Sequence, residues 1–154
     1  MTTLNLNEVA TQQIQLNPYL VYEFRYERIH CLIFSTQQGI SHLNELERQM
    51  IFDDSVALSE KLFREHDPTQ PYLVYIDLGD YKTNSTSYFL QQTRKLYRRV
   101  PPPSKMRVVY THSNRLMLSL AKSLMNTLKI GKIERRFYQR DEYAQAIAWL
   151  TQPF

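Results

Sequence analysis

Four histidines, one cysteine and a few acids and hydroxyls are the side chains with which this sequence could do chemistry. His30, His42, His66 and His112 fall in different predicted elements, and no two stand four residues apart. No His/Cys spacing suits a metal, so neither a metal centre nor a cofactor is expected. His30 and Cys31 are neighbours on a predicted strand, which sends their side chains to opposite faces. Cys31 reads as a small buried thiol rather than a nucleophile. The three glycines, Gly39, Gly79 and Gly131, lie too far apart for a phosphate-cradling loop. One convergence remains. Asp77, Asp80, Thr111 and His112 follow two predicted parallel strands and would share their carboxyl edge, where α/β proteins bind ligands. An acid beside a histidine there can exchange protons with a substrate. The competing reading is that these residues cap the helices that follow.

The elements that would position this edge are the clearest in the chain. Residues 72–78 are apolar and rich in β-formers, as a strand buried on both faces is. Pro71 suits the position before its first ladder bond. Residues 85–100 follow the 3.6 period, with Phe89, Thr93, Leu96 and Val100 on one face. Asn84 or Ser85 is the expected cap, and Pro101-Pro102-Pro103 ends the helix. Residues 106–110 form the next strand. A strand–helix–strand unit of this length predicts parallel strands and a right-handed crossover. The opposite helix face is basic. Arg94, Lys95, Arg98 and Arg99, with Lys105 and Arg107 beyond and Lys129, Lys132, Arg135 and Arg136 later in the chain, make a patch that could track phosphates. Tyr97 among these bases adds the aromatic interleaving of single-strand nucleic-acid binding.

The rest of the chain extends the pattern. Residues 1–17 are polar and read as a tail, so residues 18–154 form the predicted single domain. Alternation over 19–28 and apolar character over 29–35 predict two antiparallel strands. Gln37-Gln38-Gly39 reads as a turn; over residues 41–52 Leu43, Leu46, Met50 and Ile51 fit a helical face, but the turn favours a third meander strand through about Arg48. Asp53 or Asp54 then caps a helix to about residue 66. Ser113 caps a helix over 114–129 whose apolar arc covers roughly 200°, more than one sheet can bury. Leu118 and Met125 lie at one edge of that arc and are the candidate interface. Residues 133–138 form a last strand, and Asp141 caps a final helix to residue 150.

Charge is unevenly spread. The formal net charge of +4 conceals an acidic segment over 41–80 and a basic one over 91–140, where Glu134 is the single acid. Such segregation bears on partners and assembly. No secretory pattern and no spanning apolar run is present, so a cytoplasmic protein without membrane insertion is expected. A lone cysteine fits a reducing compartment.

The element order (strands, helix, strand, helix, strand, helix, strand, helix) resembles the STAS fold of anti-sigma-factor antagonists and the broader SpoIIAA-like group. The apolar strand Val74-Tyr75-Ile76-Asp77-Leu78 looks like the central strand of that family. The ending Arg136-Phe137-Tyr138, Gln139-Arg140-Asp141-Glu142, Ala146-Ile147-Ala148-Trp149-Leu150 is similar to a closing pattern there, and the Ser/Thr cluster 84–88 is similarly placed. The resemblance implies an α/β domain with a mixed sheet and no catalytic activity. It also implies a regulatory, bacterial protein–protein interaction module. In such antagonists a kinase phosphorylates a serine at a helix start. Thr86 and Ser87 stand nearest that position, although Ser85 replaces the expected acid and Tyr88 the expected glycine. A homodimer joined through the helix over 114–129 is the expected assembly. The alternatives are a nucleic-acid module using Arg94–Arg107 and a small-ligand site at Asp77, Asp80 and His112.

Overall fold

The computed structural model describes residues 12–34, 43–79, 86–127 and 133–154. Its centre is the strand β4 (Tyr72–Asp77), in which every residue is buried. Parallel neighbours flank it: β3 (Ile29–Phe34) on one side and β5 (Met106–His112) on the other. β2 (Leu20–Arg25) pairs antiparallel with β3, and β1 (Gln12–Asn17) antiparallel with β2. β6 (Glu134–Gln139) pairs parallel with β5 and closes the order β1-β2-β3-β4-β5-β6. The protein is thus α/β, and the described residues form a six-stranded mixed sheet and four helices.

Sequential strand order fixes where the helices go. Right-handed crossovers between parallel strands added in one direction all land on the same face. α1 (Glu45–Glu65), α2 (Thr86–Arg99) and α3 (Arg115–Met125) accordingly lie side by side over one apolar core. Strand alternation sends Tyr72, Val74, Ile76, Val108 and Tyr110 into it. Leu73, Tyr75 and Val109 point the other way. There α4 (Tyr143–Leu150), entered through a 3₁₀ turn at Arg140–Glu142, lays Ala146, Ile147, Trp149 and Leu150 over them. Tyr26 and Glu27 turn the β2–β3 hairpin with φ of 55° and 54°, a left-handed conformation that costs a non-glycine residue. The buried Tyr26 ring offsets this by docking on α4, its hydroxyl 3.1 Å from that of Tyr143.

Several expectations need correction. The polar tail read over residues 1–17 becomes a strand at Gln12, because backbone pairing to β2 needs no apolar side chain. The meander strand favoured through about Arg48 is instead the start of α1, which runs unbroken from Glu45 to Glu65, so the helical reading of Leu46, Met50 and Ile51 holds. Asn44 starts it, its Oδ1 accepting the Glu47 N–H at 2.8 Å, so Asp53 and Asp54 lie mid-helix. Asn114, not Ser113, caps α3 through the N–H groups of Leu116 and Met117. Asp141 lies in the 3₁₀ turn, and α4 begins without a side-chain cap. The expected turn at 37–39 and the cap at Asn84 or Ser85 fall outside the described residues. Among the described residues no helix is long and apolar enough to cross a membrane.

Candidate functional site

At the carboxyl edge of β4 and β5 the expected acid–base pair does not form. Asp77 is in register with Thr111, so Asp77 and Thr111 share the α4 face and His112 points to the other. Asp77 is buried, with Oδ1 accepting the Gly79 N–H at 2.8 Å and Oδ2 paired to Arg140 at 3.2 Å. Thr111 donates to the Tyr75 hydroxyl at 3.2 Å. His112 is buried and its Nδ1 accepts the Asn114 N–H at 2.8 Å, holding the entry to α3. Asp80 lies outside the described residues. Among the described residues no group of three or more His, Cys, Asp or Glu side chains comes together as a metal site. Cys31 is fully buried, and burial pushes its thiol up to about 12, too high for a nucleophile at neutral pH.

The basic patch is less continuous than its sequence. Arg107 belongs to the interior on the α4 side: it pairs with Glu134 at 2.8 Å, donates to the carbonyls of Gln152 and Pro153, and stacks on Trp149 and Phe154. Strand alternation sends it there, away from α2. Arg99 pairs with Glu60 at 3.1 Å, and Arg94 reaches the Thr127 carbonyl at 3.4 Å. Lys95, Arg98 and Lys105 are exposed. Ser87 is exposed on the first turn of α2; Thr86 opens that helix, and its side chain lies outside the described residues.

The candidate interface also needs correction. Leu118 and Met125 are 8% and 2% exposed and belong to the core that α3 shares with β5 and β6. The outward residues of the wide arc are Leu116 and Leu120, at 65% and 42% exposed. A matching pair stands on α1, where Leu46 and Met50 are 67% and 59% exposed. Both pairs have the i,i+4 spacing that puts side chains on one helix face. Their surroundings differ in sign. Exposed Glu47, Asp53 and Asp54 flank Leu46 and Met50, whereas exposed Arg115 and Lys122 border the α3 pair. Asp53 accepts the Tyr88 hydroxyl at 2.5 Å, which pushes that phenol up to about 12 and ties α1 to α2.

A groove of about 510 Å³ runs between α3 and β6. Its helix side presents Arg115, Leu118, Ser119 and Lys122, and its strand side Arg135, Arg136, Phe137 and Tyr138. Phe137 stacks on Tyr110 at 5.2 Å, so the strand side is rigid. Arg135 lies beside the phenols of Tyr97 and Tyr110, two groups whose burial holds them protonated. Its Nε and Nη2 are shielded from water and have no hydrogen-bond partner among the described residues. Arg115 reaches Gln139 at 3.3 Å across the groove mouth. At the other end of the sheet a polar recess of about 250 Å³ holds His30, His66 and Asp67. His30 stacks on Tyr72 at 4.7 Å and contacts the Tyr22 hydroxyl through Nδ1 at 2.8 Å.

Sequence reasoning missed Leu46 and Met50 as surface residues, although a signal exists: they are helix-spaced apolar residues within an acidic run. Arg135 was legible only as one more base able to track phosphates, because its shielding beside Tyr97 and Tyr110 comes from the fold. Compared with protein-family models, with curated proteins and with solved structures, the chain matches none.

Proposed function

We propose that the chain is a non-catalytic, SpoIIAA-like interaction module of the kind found in bacterial regulation. We further propose that it associates with copies of itself head to tail, the α1 strip of one copy seated on the α3 strip of the next. The matched strips carry this reading: Leu46 and Met50 among acids, Leu116 and Leu120 beside bases. Contact between like strips would bring Arg115 and Lys122 of two copies together, or their acids, and like charges across an interface oppose association. Contact between unlike strips buries four apolar side chains and pairs opposite charges. Such a contact is heterologous and does not close on itself. Four side chains make a small interface, so the association is of the weak, transient class. The element order supports the SpoIIAA-like reading. A binding role rather than a catalytic one is favoured by Asp77 and His112, which face opposite sides of the sheet and are engaged in holding loops.

Light scattering on Leu46→Lys and Leu116→Glu, alone and mixed, tests this. Wild type gains mass with concentration and loses it with salt, because the charge contribution is screened. Each variant alone is monomeric. Their mixture forms a pair limited to two copies, since one keeps an intact α3 strip and the other an intact α1 strip. A wild type that stays monomeric at every concentration, or variants that assemble as it does, would overturn the reading.

A further inference from the structure

The groove between α3 and β6 has the features of a ligand site; it adjoins the α3 strip, sharing Arg115 and Lys122 with its border, but faces another direction. On α3, Arg115, Ser119 and Lys122 line the groove, while Leu116 and Leu120 lie about 100° further round the helix at 100° per residue. Four cations line it: Arg115 and Lys122 from the helix, Arg135 and Arg136 from the strand. Arg135 is the informative one. Its guanidinium lies beside the Tyr97 and Tyr110 phenols. Nε and Nη2, the pair that forms the side-on fork of an arginine, are out of water and without partners among the described residues. Buried polar groups in folded proteins are nearly always hydrogen-bonded, so two empty donors on one charged group call for an explanation. That fork matches the two oxygens of a carboxylate or a phosphate. The groove volume of about 510 Å³ lies in the range of small-molecule sites.

We propose that this groove binds a small organic polyanion, a phosphate ester or a polycarboxylate, held side-on by Nε and Nη2 of Arg135 with Arg115 and Lys122 around it. Phe137 and Leu118 supply the apolar walls against which the carbon part of the ligand rests. The fork is shielded from water, so the side chains over it part as the anion reaches it. Two unmade hydrogen bonds are then replaced by two charge-assisted ones, which offsets that movement.

Titration calorimetry at constant ionic strength, with pyrophosphate and citrate as probes and chloride as the reference, decides the matter. The expected result is saturable binding of one or both. Pyrophosphate alone marks a phosphate ligand, citrate alone a carboxylate ligand. Arg135→Met loses affinity by about tenfold or more, as expected for a charged hydrogen-bond pair, whereas Lys95→Gln on α2 binds as wild type. Lys122→Glu, an exposed change that leaves the core untouched, also weakens binding and serves as the test should Arg135→Met fail to fold. No binding beyond chloride would overturn the proposal, as would full affinity in Arg135→Met or in Lys122→Glu.

Discussion

His30 and Arg107 illustrate how position converts an ionisable residue into a structural one. His30 is held among Tyr22, Phe24 and Tyr72, and burial, with His66 nearby, pushes its pKa down to about 4. An unfolded histidine titrates near about 6.5. Between these values the unfolded chain takes up a proton that the folded chain refuses, so the fold loses stability as pH falls from about 6.5 to about 4. The loss reaches up to about 3 kcal/mol at the lower end. Urea denaturation at pH 7 and pH 4.5 measures it, and His30→Gln, which keeps an acceptor near the Tyr22 hydroxyl, flattens most of that slope. Arg107 is the counterpart for a permanent charge. In sequence it continues a basic run; in the fold it binds the carbonyls that follow α4. Nothing local distinguishes it from Lys105; the difference is that Arg107 lies inside β5, whereas Lys105 stands just before it.

The elements were legible in proportion to how far their own pattern decided their state. β4, α2 and β5 carry continuous apolar character, a clean helical face and proline punctuation, and they form where expected. β1 is polar at most positions and is held by its backbone ladder to β2, which leaves no side-chain signature. The start of α1 was misread for a different reason. Leu46 and Met50 are apolar but point outward, while the buried side is completed only further on by Ile51, Phe52, Ser55 and Val56. The same ambiguity affects α3, whose wide arc was evident but not which half of it the sheet covers. Asn44 resolves the case for α1. Asn44→Ala removes the acceptor for the Glu47 N–H and is expected to cost about 1 kcal/mol. A lower urea midpoint at an unchanged slope would identify it as a cap. An unaffected midpoint would show that α1 does not depend on that start.

For the whole molecule, strand order determines both the division of charge and the division of cover. Adding each parallel strand beyond the last carries α1, α2 and α3 across the sheet in sequence, so the acidic segment ends on one flank of the helix layer and the basic segment on the other. The same order leaves the second face to α4. A chain ending at residue 142 keeps all six strands but uncovers Leu73, Tyr75 and Val109. It is expected to lose cooperative unfolding, and a calorimetric scan that still gives one sharp transition would contradict this. There is a consequence for how the protein is made. A ribosome releases the sheet-forming residues before the helix that seals their second side, so during synthesis a ready-paired sheet stands with one greasy surface bare. Until α4 docks, that surface is a place for a chaperone to bind.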